Sequence, residues 1–188
     1  MTKENKPEIR FSGFSDAWKQ RKVGDIAKTT IGEFVIKTKQ NDSYPYPVFN
    51  GGTTNTGFYN EFNNEGNKII ISARGANAGF VNFIKCRYWA GNSCYSIDLI
   101  NKTDFYIDFI FQEMKHNQSR FTENQQAANI PSVSKADVEK FIVDVPGYGE
   151  QKKIGNFFSM LDNIITLQLR KLEILKNIKK SFLQKMFV

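Results

Sequence analysis

Histidine is nearly missing from this chain of 188 residues, in which His116 stands alone. A single imidazole removes the His-based triads and dyads, because a second base or orienting group would have to be Asp, Glu or Lys. Cysteine is scarce too, with Cys86 and Cys94 the only pair. Structural zinc takes four N or S ligands in tight pairs, which this composition does not supply from one chain, so both are read as ordinary reduced thiols. Long apolar runs are also lacking: nothing approaches the roughly 18 to 20 consecutive apolar residues of a membrane helix. The opening MTKENKPEIRF puts charge where a secretion signal has its apolar stretch, which gives the expectation of a soluble, cytoplasmic protein.

The usual catalytic signatures are absent as well. Arg74-Gly75-Ala76-Asn77-Ala78-Gly79 bears glycines but lacks the Lys-Ser/Thr that follows in a phosphate loop. No Gly-x-Gly-x-x-Gly opens a helix, and there is no Gly-x-Ser-x-Gly elbow. Asp144 with Glu150-Gln151-Lys152 is arranged like a fragment of a metal-dependent nuclease site. Glu150 and Lys152, however, sit at the mouth of a helix, where they are better explained as first-turn charges. The expectation is a chain with no catalytic residues, no metal site and no cofactor of its own, which binds while something else does the chemistry.

What is present is a core. With 40% hydrophobic residues, 17 Phe and 7 Tyr, the chain is not disordered by composition, and its length favours one globular domain plus an appendage. The net charge of +7 is unevenly spread. Residues 1–150 hold 18 Lys or Arg against 17 Asp or Glu, whereas residues 151–188 hold 8 against 2. The basic excess therefore lies in the C-terminal fifth, and composition does not decide whether that segment or a local patch on the body would track phosphates.

In that fifth, apolar residues fall at Ile154, Phe158, Leu161, Ile165, Leu172, Leu175, Ile178, Phe182 and Met186, with a polar interruption at Gln168. Steps of three and four are helical spacing, and Pro146-Gly147 precedes them as a breaker. A helix of about 37 residues would be about 55 Å long, more than the span of a body this size, so its overhang needs a partner. The body reads as mixed, with a helix or turn over Trp18–Ile26, strands at Tyr46–Gly52, Lys68–Ser72 and Gly79–Ile84, a helix over 104–120 and a strand over Val138–Val145. The fold class is thus α+β: a mixed α/β body at residues 1–148 followed by a long C-terminal coiled-coil-type α-helix at 149–188.

Pro7-Glu8-Ile9-Arg10-Phe11, Gly13-Phe14 and Trp18, with Lys22-Val23-Gly24-Asp25-Ile26, resemble the segment that opens the specificity subunit of type I restriction-modification enzymes. Tyr46 to Gly52, Ile69 to Gly75, Trp89-Ala90-Gly91-Asn92 and Ile130 to Ser134 are similar to patterns in that family's target-recognition domain. Val145-Pro146, Glu150 to Ile154 and Leu183 to Phe187 look like the edges of its conserved long helix. The resemblance covers nearly the whole chain. It implies a non-catalytic DNA-reading subunit that docks on an adenine methyltransferase (modification) subunit and, through the complex, on the restriction subunit and motor. S-adenosylmethionine and ATP would then be bound by partner subunits. A full member carries two recognition domains and two long helices; this chain has one of each, so it would act as an antiparallel homodimer or as half of a longer subunit, on a bipartite double-stranded target. The rival readings are a free-standing DNA-binding regulator, a nuclease hidden in the body and a protein-only coiled-coil adaptor.

Base readers should be Arg, Lys, Asn and Gln on loops, since these make bidentate contacts to guanine or adenine edges. The leading set is Arg74, Asn77, Arg120, Gln125 and Gln126, followed by Asn50 and Thr53, with Lys85 and Arg87 as phosphate contacts. For Arg74 a clamp on the carbonyls of the glycine turn is the competing role. Trp89 reads as core in preference to a base-stacking platform. The helix interface set is Phe158, Leu161, Ile165, Gln168, Leu172, Leu175 and Phe182, with Gln168 setting register as a buried polar residue does in coiled coils.

Overall fold

The computed structural model describes residues 7–123 and 131–187. Its centre is a four-stranded antiparallel sheet formed by β2 (Ala27–Ile31), β8 (Cys94–Leu99), β5 (Lys68–Ser72) and β6 (Val81–Ile84), in the order β2-β8-β5-β6. The run Ile69-Ile70-Ile71 does not alternate with polar residues because both faces of β5 are covered. Ile69 and Ile71, with Val81, Ile97 and Leu99, pack against Phe109, Ile110 and Met114 of helix α2 (Ile107–His116). Ile70 points the other way and meets Phe49, Ile84, Tyr88, Ala90 and Cys94.

That second face carries a three-stranded sheet in the order β4-β3-β7, made of β4 (Gly57–Tyr59), β3 (Tyr46–Phe49) and β7 (Trp89–Ala90). Trp89 packs edge-on against Tyr59 at 5.2 Å beside Val35 and Val48, so it serves as core. A third pair joins the two ends of the body: β1 (Lys19–Lys22) runs antiparallel to β9 (Ile142–Val145), with Lys22 opposite Ile142 and Lys19 opposite Val145.

Two local expectations are corrected. Residues 18–26 are not one helix or turn, because β1 leads into the single turn α1 (Val23–Ile26), and all four β1 side chains are exposed. The strand expected from Val138 begins only at Ile142, because Lys135–Lys140 form helix α3. The Ser134 hydroxyl accepts from the Asp137 amide while the Asp137 carboxylate accepts from the Ser134 amide at 2.8 Å, a reciprocal cap that starts the helix.

The long helix α4 runs Tyr148–Met186, 39 residues or about 58 Å. Its first four turns belong to the body. Gln151 is fully buried: its Oε1 accepts from the Tyr106 amide at 2.9 Å, and its Nε2 donates to the Asp104 and Pro146 carbonyls, both at 2.9 Å. Gly155 lets α4 approach Tyr106 and the Phe109 backbone closely. Asn156 accepts from the Tyr106 hydroxyl at 2.7 Å, and Asp162 from Gln112 at 2.8 Å. These contacts advance together along both helices, so α4 runs parallel to α2 and continues past its C-terminal end. From residue 163 to Met186, about 36 Å, the helix lies exposed to its full width among the described residues.

Candidate nucleic-acid interface

Four connections meet at one end of the central sheet: the β3–β4 loop, the β5–β6 loop, the β7–β8 loop and the segment at Pro131-Ser132. The Gly51 amide donates to Cys94 Sγ at 3.0 Å and the Ser72 hydroxyl to the Gly52 carbonyl at 3.0 Å, which ties the first loop to β5 and β8. The Ala73 amide donates to the Ser93 carbonyl, the Val133 amide to the Ala73 carbonyl, and the Gly75 amide to the Pro131 carbonyl. Glycines permit this convergence. Gly75 and Gly79 sit at φ 80° and 81°, in the left-handed region, and a Cβ on Gly79 would lie 2.7 Å from Phe121 Cβ.

Burial pushes the Cys94 thiol up to about 11, with the Gly51 hydrogen bond pulling the other way, so this sulfur is a fixed packing group. Asn50 is likewise committed on one side, since its Oδ1 accepts from the Ser93 amide at 3.1 Å and fills the space beside Gly91. Asn50 shapes the loop cluster, and only its Nδ2 is left for any other task.

Arg74 and Asn77 lie on the β5–β6 loop, both exposed. The Arg74 backbone bridges to Ser132, but among the described residues its guanidinium makes neither a hydrogen bond nor an ion pair. The carbonyl clamp that competed with DNA contact is therefore not the conformation adopted. Thr53 is exposed on the neighbouring loop, its carbonyl accepting from Asn82 at 3.5 Å.

Arg120 projects from the 3-10 turn Gln118–Phe121, which the stacking of Phe121 on Phe141 (4.4 Å) anchors to the body next to Gly79. Burial raises the Glu113 carboxyl above its ordinary range, and the Asp144 amide, Arg120 and His116 draw it back. The Gln118 side chain accepts from the Val81 amide, and Lys115 donates to the Val81 carbonyl at 2.7 Å while lying 3.5 Å over the Phe80 ring. The turn bearing Arg120 is thus bolted to the edge strand β6. Gln125 and Gln126 lie outside the described residues.

Lys85 and Arg87 are not part of this cluster. They follow β6 at the other end of the β5–β6 hairpin, where Lys68 pairs with Ile84. Arg87 donates to Glu65 at 2.8 Å and stacks 4.7 Å over Phe62, and Lys85 sits 5.7 Å over Phe83. Residues missed from sequence lie elsewhere. Lys19, Arg21 and Lys22 on β1 form an exposed basic edge whose Lys22 end adjoins Phe141, under the Arg120 turn. The basic run was visible in the sequence; its strand conformation was not.

Glu150 does sit in the first turn of α4, as read from sequence, but it is buried there, and both of its oxygens accept from Arg10 at 2.7 Å. Its carboxylate is therefore an internal anchor between the N-terminal segment and α4. Of the helix interface set, Leu161 is half-buried, Phe158 is 42% exposed, and Ile165, Gln168, Leu172, Leu175 and Phe182 are exposed. Fifteen of the 22 large apolar side chains exposed among the described residues lie on or just after α4 from Phe157 onward. Apolar exposure is concentrated there, as expected of a surface that a partner covers.

The family described as the type I restriction modification DNA specificity domain matches residues 15–180. The specificity subunit of the type I restriction enzyme MjaVIII from Methanocaldococcus jannaschii is 26% identical over 196 aligned residues, covering 98% of this chain and 45% of that protein. A protein of Mycoplasma pneumoniae named as a type I specificity subunit is 22% identical, covering 96% of this chain and 48% of its own length. The crystal structure of a type I restriction-modification S subunit from M. genitalium superposes with a TM-score of 0.80 at 22% identity, covering 89% of this chain and 45% of that one. This chain spans about half the length of the relatives it matches.

Proposed function

This chain belongs to the type I restriction-modification DNA specificity domain family, and from that premise we propose that it is a non-catalytic, cytoplasmic DNA-reading unit. Its body reads one half of a split target and α4 joins it to a second copy running antiparallel, so that two bodies address the two halves of a bipartite site. It directs an adenine methyltransferase subunit, and through it the restriction subunit and motor; S-adenosylmethionine and ATP belong to those partners. The observation that carries this reading is the loop cluster presenting Arg74 and Asn77 unengaged beside Arg120, on a body from which a helix projects with its apolar stripe exposed. Base readers on loops held by a rigid sheet suit direct readout, and the basic edge Lys19, Arg21 and Lys22 suits phosphate positioning.

The test is a genome-wide map of N6-methyladenine in a host that carries residues 1–188 with the associated modification subunit. A new split, palindromic motif is the expected result; no new methylation overturns the reading. In the same assay and in binding titrations, Arg74→Ala is expected to lower affinity for the cognate site about 10- to 100-fold, the value of a bidentate guanine contact, with little change on unrelated DNA. Equal losses on both would make Arg74 a phosphate contact.

A further inference from the structure

Where α4 leaves the body it borders an open groove of about 420 Å3, with Trp18, Phe109, Ile154 and Phe158 as its apolar lining and Gln112, Glu113, Lys115 and His116 of α2 as its polar side. The lining continues through Phe157, 5.4 Å from Phe158, to Phe11, edge-on at 6.0 Å. The Trp18 indole packs on Phe109 at 5.6 Å, and its N–H is buried without a hydrogen-bond partner among the described residues. The groove is the start of the α4 stripe. From Ile154 an unbroken alternation of four and three runs through 158, 161, 165, 168, 172, 175, 179 and 182 to 186, and only Gln168 and Lys179 on it are polar. That is a heptad seam two strands wide.

A parallel pairing would set Lys179 against its own copy in the seam and Lys171 beside Lys176. An antiparallel pairing avoids both, and its register can be ranked by what flanks the seam. When the residue numbers of facing seam positions add to 340, Phe158 faces Phe182, Ile154 faces Met186 and Ile165 faces Leu175, while Gln168 faces Leu172. In that register Asp162 lies beside Lys176, Ile164 beside Ile178, and Leu169 beside its own copy, at the cost of Lys179 facing Leu161 and Lys171 meeting its own copy, both on long flexible stems. Sliding the pair one heptad either way sets Asp162 beside Leu169 or Leu183 and Ile164 beside Lys171 or Lys185, so the Asp162–Lys176 and Ile164–Ile178 matches are lost; one slide gains Phe157 beside Ile178 and the other sets Lys179 opposite Gln168.

Resting on the dimer reading above, we propose that the groove is a socket for a second copy of this chain, filled by Phe182 and Met186 of that copy's α4. Each helix tip is then seated on the other body, in addition to the seam, so the socket sets the distance between the two loop clusters.

The test uses the full chain with Cys86→Ser, since Cys94 is buried. Variants with one exposed cysteine, Phe158→Cys and Phe182→Cys, mixed and treated with a short bis-maleimide, are expected to cross-link as a heterodimer, and neither is expected to link to itself. Leu169→Cys, at an exposed helix position, is expected to link to itself. Phe182→Ala is expected to weaken the dimer about 10- to 100-fold in sedimentation equilibrium, as removal of a central aromatic anchor does. A dimer in which neither pair links has another register and overturns the socket while leaving the dimer reading standing. A chain that sediments as a monomer overturns both.

Discussion

Gly155→Val is expected to destabilise the protein by about 3 kcal/mol, the upper part of the range for overpacking a close contact. A Cβ at this position would sit 2.8 Å from Tyr106 Cδ1 and 2.9 Å from the Phe109 amide nitrogen. The second of these is backbone, so no rotamer change relieves it, and α4 must move away from α2. That movement strains a set of hydrogen bonds made within one turn: Gln151 to the Tyr106 amide and to the Asp104 and Pro146 carbonyls, and Tyr106 to Asn156. Each group left unpaired in the buried junction adds a desolvation cost. The sign is informative because glycine inside a helix ordinarily costs about 1 kcal/mol relative to alanine. On propensity alone a larger residue at 155 would stabilise, so a lower urea midpoint with faster amide exchange at Tyr106 would show that close approach dominates. A midpoint at or above that of the parent would mean that α4 is not seated on α2 as described.

The same junction shows which features were legible in the sequence. The spacing from Ile154 to Met186 revealed the long helix because periodicity is local, and the Ile69–Ile71 run revealed β5 because a strand covered on both faces needs no alternation. Arg10 and Glu150 defeated the reading, since their pairing joins residues 140 positions apart and nothing near Glu150 marks it as buried. Strands β1, β4 and β7, of two to four residues each, carry too few positions for a period to emerge and exist only because neighbours pair with them. The Ser134-Val133 boundary was readable as a cap from Ser134 and Asp137 alone, and the apolar Val138 and Phe141 masked it by mimicking a strand. At the candidate interface, residue type picked out Arg74, Asn77 and Arg120, which the fold brings to one end. The same logic also picked Asn50, Lys85 and Arg87, and composition could not show that Asn50 also holds a turn or that Lys85 and Arg87 lie at the other end of the hairpin against Phe83, Phe62 and Glu65.

Ile165→Glu combined with Leu172→Glu is expected to convert the dimer to a monomer and to lower affinity for the split site about 100-fold or more, to that of a single half-site. In the isolated chain both side chains are exposed, at 55% and 48%, so the fold of one copy should be little affected: surface changes of this kind stay within about 0.5 kcal/mol, and glutamate is a good helix former. In the proposed antiparallel seam Ile165 would face Leu175 and Leu172 would face Gln168, so the pair of changes would place four carboxylates in the seam with no cation directly opposite them, a desolvation cost that association cannot absorb. The DNA effect follows from linkage: once one body is bound, the second binds at an effective concentration set by the rigid helix pair, a gain of about 100- to 10,000-fold that disappears when the copies separate. Binding of one body to one half-site should persist, because neither changed residue belongs to the loops that carry Arg74, Asn77 and Arg120. An unchanged mass with unchanged affinity would remove α4 from the interface and return the basic helix to a role as a solvated arm. A monomer that keeps full affinity for the split site would instead mean that one body spans the whole target.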